Sequence, residues 1–555
     1  MSRRRVRLVA VIGIAALAAA VVGGFALTRL PGSTPTTALG PPHFVEETIA
    51  AGIDHSYEGG FVYAVGGGVA AFDCNGDGKQ ELYLAGGSKP AALYRNVSPV
   101  GGALRFERVP DPATDLTAVN GAYPIDIDGD GQVDLAVLGL GESVLLRGLG
   151  DCRFERANEA WSFDGGPAWT SAFSAKWAGT DKLPTLAIGH YRQLDGSGVP
   201  TLKCDQNELL QPTQDGIGYA PAVALTPGYC SLSMLFSDWD RSGRRDLRVS
   251  NDRHYYDPVN GEEQLWRVDA GKPPSRYSDS DGWIPNRIWG MGIATYDLTG
   301  DGYPEVFLTN QGENKLQTLA VGPDKPTYRD IGLKRGANAA EPFTGGDTLP
   351  STGWHAEFQD VNNDGFVDLY IAKGNVSEMP DFAQKDPSNL LLGQADGTFR
   401  EGADGAGIVD FGRGRGGAVV DLNLDGMLDL VKLDFGSPVK VWRSVGSGDA
   451  TKPAQMGGWL ALEILQPGPN RDAVGAWVEV KVGDTTMRRE ITVGGGHLGG
   501  QLGWIHFGLG PATDAQVRVQ WPDGEVGPWL PLAADRFAVI ERGATEALPW
   551  QPSQN

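Results

Sequence analysis

Cysteine and basic residues are both scarce in this sequence. Only four cysteines occur among 555 residues, and none forms a Cys-x-x-Cys pair or a cluster with histidine. A zinc or dithiol redox centre is therefore not indicated. Lysine and arginine total 47 against 69 acidic residues, and beyond the N-terminus they form no cluster. The net charge of −22 argues against nucleic acid as a partner, because binding phosphates requires a basic surface.

Local signatures of several enzyme classes are also missing. No Gly-x-Ser-x-Gly, His-Glu-x-x-His or phosphate-binding Gly-Lys-Ser/Thr segment occurs. Glycine and proline are abundant instead, with 79 and 36 residues, which is typical of a turn-rich β protein and not of a helical one. At this length the chain can bury a large core and form more than one domain.

The most informative segment is Asp126-Ile-Asp128-Gly-Asp130-Gly-Gln-Val-Asp134. Carboxylates occupy positions 1, 3, 5 and 9, and glycine at position 6 allows the positive φ of a tight turn. Alternate side chains then converge, the carbonyl at position 7 adds an oxygen, and position 9 closes a Ca²⁺ cage. An apolar run follows at once, so position 9 begins a strand, whereas the closing residue of an EF-hand begins a helix. The segment predicts a Ca²⁺ loop within a β-hairpin.

Four further copies keep this pattern. The candidate Ca²⁺ ligands of the five intact copies are Asp73, Asn75, Asp77 and Glu81; Asp126, Asp128, Asp130 and Asp134; Asp297, Thr299, Asp301 and Glu305; Asp360, Asn362, Asp364 and Asp368; and Asp421, Asn423, Asp425 and Asp429. Two more copies are degenerate. Positions 177–185 keep only Asp181, and positions 238–246 keep four oxygen-bearing positions but include three arginines. We leave Ca²⁺ open in these two copies.

The seven copies start 51 to 63 residues apart, and each belongs to a set of four strand-like segments. A glycine-rich strand enters the loop, a second leaves it, a third follows, and a fourth centres on an aromatic residue. Four short strands per repeat predict one propeller blade. We therefore predict an all-β fold with a seven-bladed β-propeller over residues 43–445. We expect the segment near residues 44–49 to complete the last blade and remove a free edge.

The repeats resemble FG-GAP/VCBS repeats, the calcium-loop blades also found in integrin α propellers. Residues 458–543 alternate apolar and polar residues around turn signals at Gly483 and Pro522, which predicts a small β-sandwich or barrel. The segments that begin at Ile505 (Ile-His-Phe-Gly-Leu-Gly) and Val517 (Val-Arg-Val-Gln-Trp-Pro-Asp-Gly) resemble the ASPIC/UnbV domain. That domain typically follows such repeats in bacterial exported proteins and in cartilage acidic proteins. The resemblance implies an architecture more than an activity.

The N-terminus suggests export. A basic segment at residues 3–7 precedes an apolar stretch of twenty residues, 8–27, which is either a signal peptide or a membrane anchor. No small-x-small cleavage site follows, so we expect an uncleaved anchor within residues 1–30, with the bulk of the chain outside the cytoplasm. A cleaved signal peptide is the alternative. Residues 31–42 are expected to form a linker and residues 544–555 a tail.

Export agrees with Ca²⁺ loops, which are usually filled where calcium is millimolar, and it permits disulfides. Cys204 and Cys230 bracket a Gly/Pro-rich insertion in the third repeat, and we expect them to pair. Cys74 and Cys152 fall near the loops of adjacent repeats and are a second candidate pair.

Histidines and aromatic residues supply the remaining site candidates. His190 and His254 follow the second strands of repeats three and four, on long insertions of the kind that place ligand sites on propellers. His355 lies on the first strand of repeat six, and we expect structural roles for His497 and His506. Four aromatic residues could stack on sugar rings: Trp239, Tyr255, Tyr256 and Trp266. Ordinary packing of the long loops is the interpretation that we favour for these aromatic residues.

These observations favour an extracytoplasmic Ca²⁺-binding propeller that acts as a binding, adhesion or scaffold module for an unknown protein or glycan. The alternative is a carbohydrate-active lyase or hydrolase working on a propeller face, a class supported by fold analogy alone. A third hypothesis is an accessory protein for an exported oxidoreductase or a natural-product pathway. The enzyme hypothesis requires His355, or His190 with His254, to meet a carboxylate and an arginine in one pocket.

Overall fold

The computed structural model describes residues 37–252 and 261–552. The predicted anchor or signal segment at residues 1–30 lies outside these ranges, as do His254, Tyr255 and Tyr256. In the described ranges helices are confined to α1 (Gly332–Arg335), α2 (Ala403–Ala406) and two 3-10 turns, Phe61–Tyr63 and Asp279–Asp281. Neither α-helix of this part of the chain has the length or apolar content to cross a membrane. The protein is all-β, as predicted.

Strands account for almost all regular structure in the described residues. In the repeat region they are β1 (His43–Glu46), β2 (Val69–Phe72), β3 (Glu81–Leu84), β4 (Ala92–Asn96), β5 (Phe106–Val109), β6 (Val119–Ile125), β7 (Asp134–Gly141), β8 (Val144–Gly148), β9 (Phe154–Arg156), β10 (Ala168–Lys176), β11 (Thr185–His190), β12 (Arg192–Leu194), β13 (Pro200–Cys204), β14 (Asn207–Leu210), β15 (Val223–Leu225), β16 (Ser231–Ser237), β17 (Asp246–Asn251), β18 (Gln264–Arg267), β19 (Ser275–Arg276), β20 (Gly290–Tyr296), β21 (Glu305–Asn310), β22 (Lys315–Leu319), β23 (Tyr328–Asp330), β24 (Gly353–Gln359), β25 (Asp368–Lys373), β26 (Asn389–Gly393), β27 (Phe399–Glu401), β28 (Gly414–Val420), β29 (Asp429–Asp434) and β30 (Lys440–Gly446). In the C-terminal region they are β31 (Gly458–Leu465), β32 (Trp477–Val482), β33 (Thr485–Glu490), β34 (Gly500–Leu502), β35 (Ile505–Gly510), β36 (Asp514–Gln520), β37 (Leu530–Ala533), β38 (Arg536–Glu541) and β39 (Leu548–Trp550).

Within the described residues, the repeat region forms seven antiparallel groups of four strands. Five groups pair in chain order, namely β2–β5, β6–β9, β16–β19, β20–β23 and β24–β27. The group that is third along the chain consists of β10, β11, β14 and β15. The hairpin β12–β13 is inserted between β11 and β14 of this group. The last group joins β28, β29 and β30 to β1. Pairing of β7 with β10 also links the second and third groups into one sheet.

The two ends of the repeat region meet in the last group. β1 pairs antiparallel with β30, with Phe44 opposite Ser444 and Glu46 opposite Trp442. Just after β1, the Thr48 hydroxyl accepts a hydrogen bond from the Val441 amide at 2.8 Å. The predicted completion of the last group by the N-terminal segment is confirmed. The pairing covers an edge of β30 that would otherwise be open.

The first strands of the groups lie next to one another around a common centre. Each contacts the first strand of the following group, from β2 through β6, β10, β16, β20 and β24 to β28, and β28 contacts β2 again. Four of these strands, β2, β6, β16 and β28, are buried along their whole length. Glycine permits the close approach of β28 to the segment before β2, since a Cβ added at Gly416 would lie 2.4 Å from the Gly67 carbonyl oxygen.

The C-terminal region forms two four-stranded sheets with a shared core. Their strand orders are β35-β31-β38-β39 and β33-β32-β36-β37. Leu460, Phe507 and Ile540 from the first sheet pack with Val478 and Val517 from the second. The alternation of apolar and polar residues predicted in these strands places one face of each sheet in this core.

A glycine-rich segment leaves the C-terminal region and enters the centre of the repeat region. We call residues 493–502 the glycine plug. It forms bridges to β6, β10, β16 and β20, and its strand β34 pairs in parallel with β2. At Gly499 an added Cβ would lie 2.0 Å from the Val69 carbonyl oxygen, so the close approach of the two backbones requires glycine at this position.

Candidate functional site

The nine-residue loops lie where the sequence predicts them. Each intact loop joins the first and second strands of its group. The acidic residue at position 9 begins the second strand in all five, at Glu81, Asp134, Glu305, Asp368 and Asp429. The placement of the loops in β-hairpins is therefore confirmed, and the carboxylate at position 9 is anchored by the strand that it begins.

Backbone amides organise the carboxylates within each loop. In the second loop the Asp126 carboxylate accepts hydrogen bonds from the Gly129 and Gly131 amides at 2.8 and 2.9 Å. Gly131 has φ of +85°, the conformation expected of glycine at position 6. Carboxylate oxygens of Asp126, Asp128 and Asp130 lie within 4.8 Å of one another. The local turn therefore holds three like charges together.

Burial makes these carboxylates difficult to ionise without a cation. Desolvation raises the pKa of Asp134 to about 8 and, together with the neighbouring Asp472, that of Asp126 to about 7. Burial raises the pKa of Glu81 to about 8. In the sixth and seventh loops, burial and the neighbouring carboxylates hold the pKa of Asp360 and Asp421 well above the usual range. A bound cation would relieve both the desolvation and the mutual repulsion.

The donor set fits a hard divalent cation. Every candidate side chain offers oxygen, which Ca²⁺ prefers, and none offers the sulfur or imidazole nitrogen that suits zinc or copper. Two candidate donor atoms, Asp297 Oδ1 and Asn423 Oδ1, are buried without a hydrogen-bond partner among the described residues. A buried oxygen without a donor is costly, and a cation in the loop would supply its missing partner.

Basic side chains contact three of the intact loops. Lys79 Nζ lies 3.1 Å from the Asp77 carboxylate, Arg147 Nε lies 2.8 Å from Asp128, and Arg488 Nη1 lies 3.0 Å from Asp297. Among residues 37–252 and 261–552, the carboxylates of the sixth and seventh loops take part in no ion pair with lysine or arginine. These two loops therefore carry the most buried negative charge with the least compensation.

The fourth loop contains its own cation. Arg244 Nε lies 3.1 Å from Asp246 Oδ1, and Arg244 Nη2 lies 3.4 Å from Asp240 Oδ2. One guanidinium thus contacts the carboxylates at positions 3 and 9 of the degenerate loop. In the third loop Asp181 is the remaining acidic residue. The two degenerate loops therefore differ, because one places an arginine between its carboxylates and the other keeps a single carboxylate.

The loops also contact the C-terminal region, which lies against their side of the repeat region. Trp504 Nε1 donates to the Gly78 carbonyl at 2.9 Å, and His506 Nε2 lies 2.6 Å from Asn363 Oδ1. Arg241 pairs with Glu479 at 3.3 Å, so the fourth loop contributes as well. The arginine-rich fourth loop and the carboxylate-rich loops together form a platform for residues 458–550. Sequence reasoning missed this role, since nothing local in the loops indicates what packs on them.

His497 lies at the tip of the glycine plug and is fully buried. Its ring lies 5.0 Å from the Trp354 ring, and its backbone amide donates to His355 Nδ1 at 3.2 Å. Burial, reinforced by Arg415 and His355, lowers the pKa of His497 to about 3, so the ring is neutral at pH 7. Its contacts are those of a core residue, in agreement with the structural role predicted for it and for His506.

His355 meets the requirement that the enzyme hypothesis sets, a carboxylate and an arginine in one pocket. It lines a central cavity of about 410 Å³ together with Glu357 and Arg489. The polar atoms of this cluster are engaged, since Gln501 of the plug donates to Glu357 at 2.6 Å and Arg489 donates to Gln359 at 2.8 Å. The cluster thus fastens the plug to the first strands. His355 Nε2 also lies 3.4 Å from Glu357 Oε2, so this acid and base pair is engaged within the protein.

His190 does not join this cluster. Its Nδ1 lies 3.3 Å from the Thr170 hydroxyl, and its Nε2 lies 3.5 Å from Glu208. His254, the predicted companion of His190, is outside the described residues. His190 and His355 therefore do not contribute to the same pocket.

The two described tryptophans are packing residues, as the favoured interpretation holds, and do not offer a surface for sugar stacking. Trp239 and Trp266 are 4% and 5% exposed, and Trp239 Nε1 donates to Asp246 at 2.9 Å. Trp239 packs in a core cluster with Tyr277 and Trp283. Aromatic composition alone did not separate packing residues from a surface, because both use the same side chains. Tyr255 and Tyr256 are outside the described residues.

Both predicted disulfides are present. Cys74 in the first loop is bonded to Cys152, in the turn between β8 and β9, and Cys204 is bonded to Cys230. The first bond joins adjacent groups, and the second closes the insertion of the third group. Two disulfides indicate an oxidising compartment outside the cytosol.

Comparison with known proteins agrees with this organisation. An FG-GAP-like repeat family matches residues 73–137, and the ASPIC and UnbV family matches residues 466–547. Cartilage acidic protein 1 of Homo sapiens is 27% identical over 254 residues, which cover 45% of this chain and 36% of that protein. The Xenopus tropicalis protein of the same name is 28% identical over 239 residues, covering 43% and 34%. The chain thus spans about a third of the length of these relatives.

Among solved structures, BBS1N in complex with ARL6DN aligns over 74% of this chain and 99% of that chain, with a TM-score of 0.41 and 10% identity. A likeness at this level carries no functional argument. The two family matches, the paired disulfides and the hairpin loops at their expected positions agree with one another. Residues 73–137 thus match the FG-GAP-like repeat family and residues 466–547 the ASPIC and UnbV family, in agreement with the two resemblances seen in the sequence.

Proposed function

We propose that the seven four-stranded groups are the blades of a closed seven-bladed β-propeller over residues 43–445. The contact of β28 with β2 and the pairing of β1 with β30 support closure at the first and last strands of the ring. The two sheets of residues 458–543 form a small β-sandwich that sits on the loop face and sends the glycine plug into the centre. The plug contacts the first strands of five groups, which fixes the sandwich to the propeller.

The five intact loops bind Ca²⁺ in this proposal, with the ligands predicted from the sequence. The observation that carries it is the burial of several carboxylates in the sixth and seventh loops, where burial raises the pKa of Asp368 and Asp429 well above the usual range. Burying such charges without a partner costs several kcal/mol per ion, which makes a bound cation the more stable state. The ion neutralises the loop and stiffens the hairpin beneath the C-terminal domain.

The protein then acts as a rigid extracytoplasmic binding or scaffold module for a protein or glycan partner. The disulfides support an exported location, and the apolar N-terminal stretch at residues 8–27 would anchor the module if it is not cleaved. Fixed docking of the sandwich leaves the opposite face of the propeller and its insertions as the surface for a partner. The engaged histidines give the enzyme hypothesis little support.

Thermal unfolding with and without chelator tests the role of the metal. We expect EDTA to lower the Tm by more than about 5 °C, because ligands that bind the folded state alone stabilise it by mass action. Readdition of Ca²⁺ should restore the Tm, whereas an equal concentration of Mg²⁺ should restore little, since Mg²⁺ demands a tighter octahedral site. A melting curve unchanged by EDTA would contradict the proposal. Glycan and protein arrays probed with the Ca²⁺-loaded protein then test the binding role.

A further inference from the structure

A second cavity, of about 140 Å³, lies at the other ends of the central strands. The nine-residue loops follow the ends of the first strands, whereas this cavity is lined by residues near their starts, such as Leu232, Met291 and Trp354. Val65, Val376 and Met379 complete its apolar wall. The cavity is therefore on the face opposite the C-terminal domain.

The glycine plug contacts one wall residue of the cavity from the inner side. Trp354, which lines the cavity, lies against the ring of His497 at the tip of the plug. On its outer side Phe61 lines the cavity and is 54% exposed. The cavity thus has a solvent-exposed residue on its outer side and, on its inner side, a wall residue that contacts the plug.

Polar groups are placed at one side of this pocket. The Tyr191 hydroxyl donates to the Asp252 carboxylate, and Arg192 Nε donates to the Thr201 carbonyl. Gln311 is 7% exposed, and its amide nitrogen donates to the Met379 sulfur at 3.8 Å. A thioether is a weak acceptor, so this buried amide donor has a poor partner at the pocket wall. A ligand oxygen would be a better one.

The insertion of the third group frames the polar side. Arg192 begins the hairpin β12–β13 and pairs with Cys204, which the disulfide joins to Cys230, two residues before Leu232 of the wall. The hairpin is thereby fixed against the pocket. A disulfide that holds an inserted hairpin beside a cavity maintains a preformed shape, which lowers the entropy cost of binding.

We propose that this pocket binds a small uncharged ring compound that carries one hydroxyl or carbonyl oxygen. A cavity of this size accommodates a molecule about as large as benzene. The two methionines adapt to the shape of an apolar ring, and Trp354 offers an aromatic contact. The ligand oxygen accepts from Gln311 in place of the Met379 sulfur. This inference deepens the proposed binding function by naming a site and a ligand class.

The charges around the pocket favour a neutral ligand. Asp252 and Arg192 both line it, so their opposite charges offset one another, and each is already hydrogen-bonded, to the Tyr191 hydroxyl and the Thr201 carbonyl respectively. Apart from Tyr191 and Gln311, the other described lining side chains are apolar, and transfer of an ion into such surroundings without a dedicated partner is unfavourable. Phenol is the corresponding probe, with toluene lacking the oxygen, and benzoate and benzylammonium carrying charges of either sign.

Ligand-observed NMR titrations with these four probes test the proposal on the full-length protein in Ca²⁺. We expect saturable binding of phenol, weaker binding of toluene, and no saturation with either ion. Val376→Phe fills the pocket and should abolish phenol binding, whereas Val321→Phe, at a residue 61% exposed, is the matched control and should not change it. Gln311→Leu should weaken phenol about tenfold, the loss expected of one hydrogen bond, and leave toluene unchanged.

Three results would overturn the proposal: no saturable binding of phenol, unchanged phenol binding in Val376→Phe, or tighter binding of benzoate or benzylammonium than of phenol. Each variant is first shown to retain the wild-type Tm within a few degrees. If Val376→Phe does not fold, Gln311→Leu decides, because equal loss of phenol and toluene, or loss of neither, removes the assigned role of the amide. Failure here with an intact Ca²⁺ effect on the Tm refutes this pocket and leaves the proposed metal role standing.

Discussion

Arg244 Nε lies 3.1 Å from the carboxylate of Asp246, the residue at position 9 of the fourth loop. In the described part of the chain, the position-9 carboxylates of the five intact loops form no ion pair with lysine or arginine. Asp246 is fully buried at its side chain, and Tyr277 and Trp239 also donate to it. The Arg244 guanidinium thus supplies a positive charge next to Asp246, the carboxylate that closes the loop. The comparison among loops suggests that the hairpin requires a positive charge at this place, supplied by arginine in the fourth loop and, as we propose, by Ca²⁺ in five others.

Arg244→Ala should destabilise the protein by about 2 kcal/mol, because it leaves the buried Asp246 without its cation. The full cost of breaking a buried pair is reduced here, since the arginine side chain is 38% exposed and partly screened. Urea unfolding at saturating Ca²⁺ measures the effect. Lys272→Ala removes a well-exposed ion pair and should cost less than about 0.5 kcal/mol. Equal effects of the two substitutions would contradict this role of Arg244.

Asp130→Ala and Asp240→Ala should respond differently to Ca²⁺. Both remove a carboxylate from a nine-residue loop, at position 5 of the intact second loop and position 3 of the degenerate fourth loop. We expect Asp130→Ala to lower the Tm by a few degrees in Ca²⁺ and by less in EDTA, because its cost is lost metal binding. Asp240→Ala should have a smaller effect in Ca²⁺, similar to its effect in EDTA. Thermal scans of both variants that show the same Ca²⁺ dependence would refute the distinction.

Removal of one or the other disulfide should lower the free energy of unfolding by different amounts. Cys74–Cys152 closes a longer loop than Cys204–Cys230, with sequence separations of 78 and 26 residues. Loop-closure entropy predicts stabilisation by about 4.5 and 3.5 kcal/mol respectively. Paired Cys→Ser variants, unfolded in denaturant, should follow that order. The reverse order would show that local packing, not closure of the chain, determines the contribution of these bonds.

His497 should make the protein less stable as the pH falls below neutrality. Burial lowers its pKa to about 3, whereas a histidine in the unfolded chain titrates near 6.5. Between these values the unfolded state binds a proton that the folded state does not. The contribution of neutral His497 to the free energy of unfolding is therefore fully present above about pH 6.5 and is lost on acidification. Between pH 6.5 and pH 5 the free energy of unfolding falls by about 2 kcal/mol from this group.

His497→Asn should remove this part of the pH dependence, because asparagine does not titrate. Urea unfolding of both proteins at pH 7 and pH 5, at the same free Ca²⁺, isolates the contribution from those of other groups. The difference in unfolding free energy between wild type and variant should shrink at the lower pH. An unchanged difference would show that His497 is not buried as a neutral ring.

Much of the fold could be predicted because its signals are local. The residue at position 9 begins a strand in every intact loop, as the apolar run after Asp134 indicates. The regular spacing of the repeats predicted the grouping of strands in fours. The strand-like segment with its aromatic residue Phe44 predicted that β1 completes the last group. Each of these features is decided within about ten residues of sequence or by a regular repeat.

The remainder depends on contacts between distant residues. The glycine-rich residues 494–500 have no amphipathic period that would indicate a partner, yet they bridge strands more than 200 residues away. Burial of Trp239 and Trp266 is likewise set by neighbouring groups. The wall of the small pocket combines Val65, Leu232 and Val376, whose proximity follows from the arrangement of the groups and from no motif.

The number of Ca²⁺ ions bound per chain tests the central claim most directly. Equilibrium dialysis of the purified protein at millimolar free Ca²⁺, with metal measured by mass spectrometry, should give five ions, one for each loop that keeps the pattern of Asp126–Asp134. The arginine-filled fourth loop and the depleted third loop should hold none. Retention of no Ca²⁺ would contradict the metal role altogether, and seven ions would contradict the replacement of a cation by Arg244.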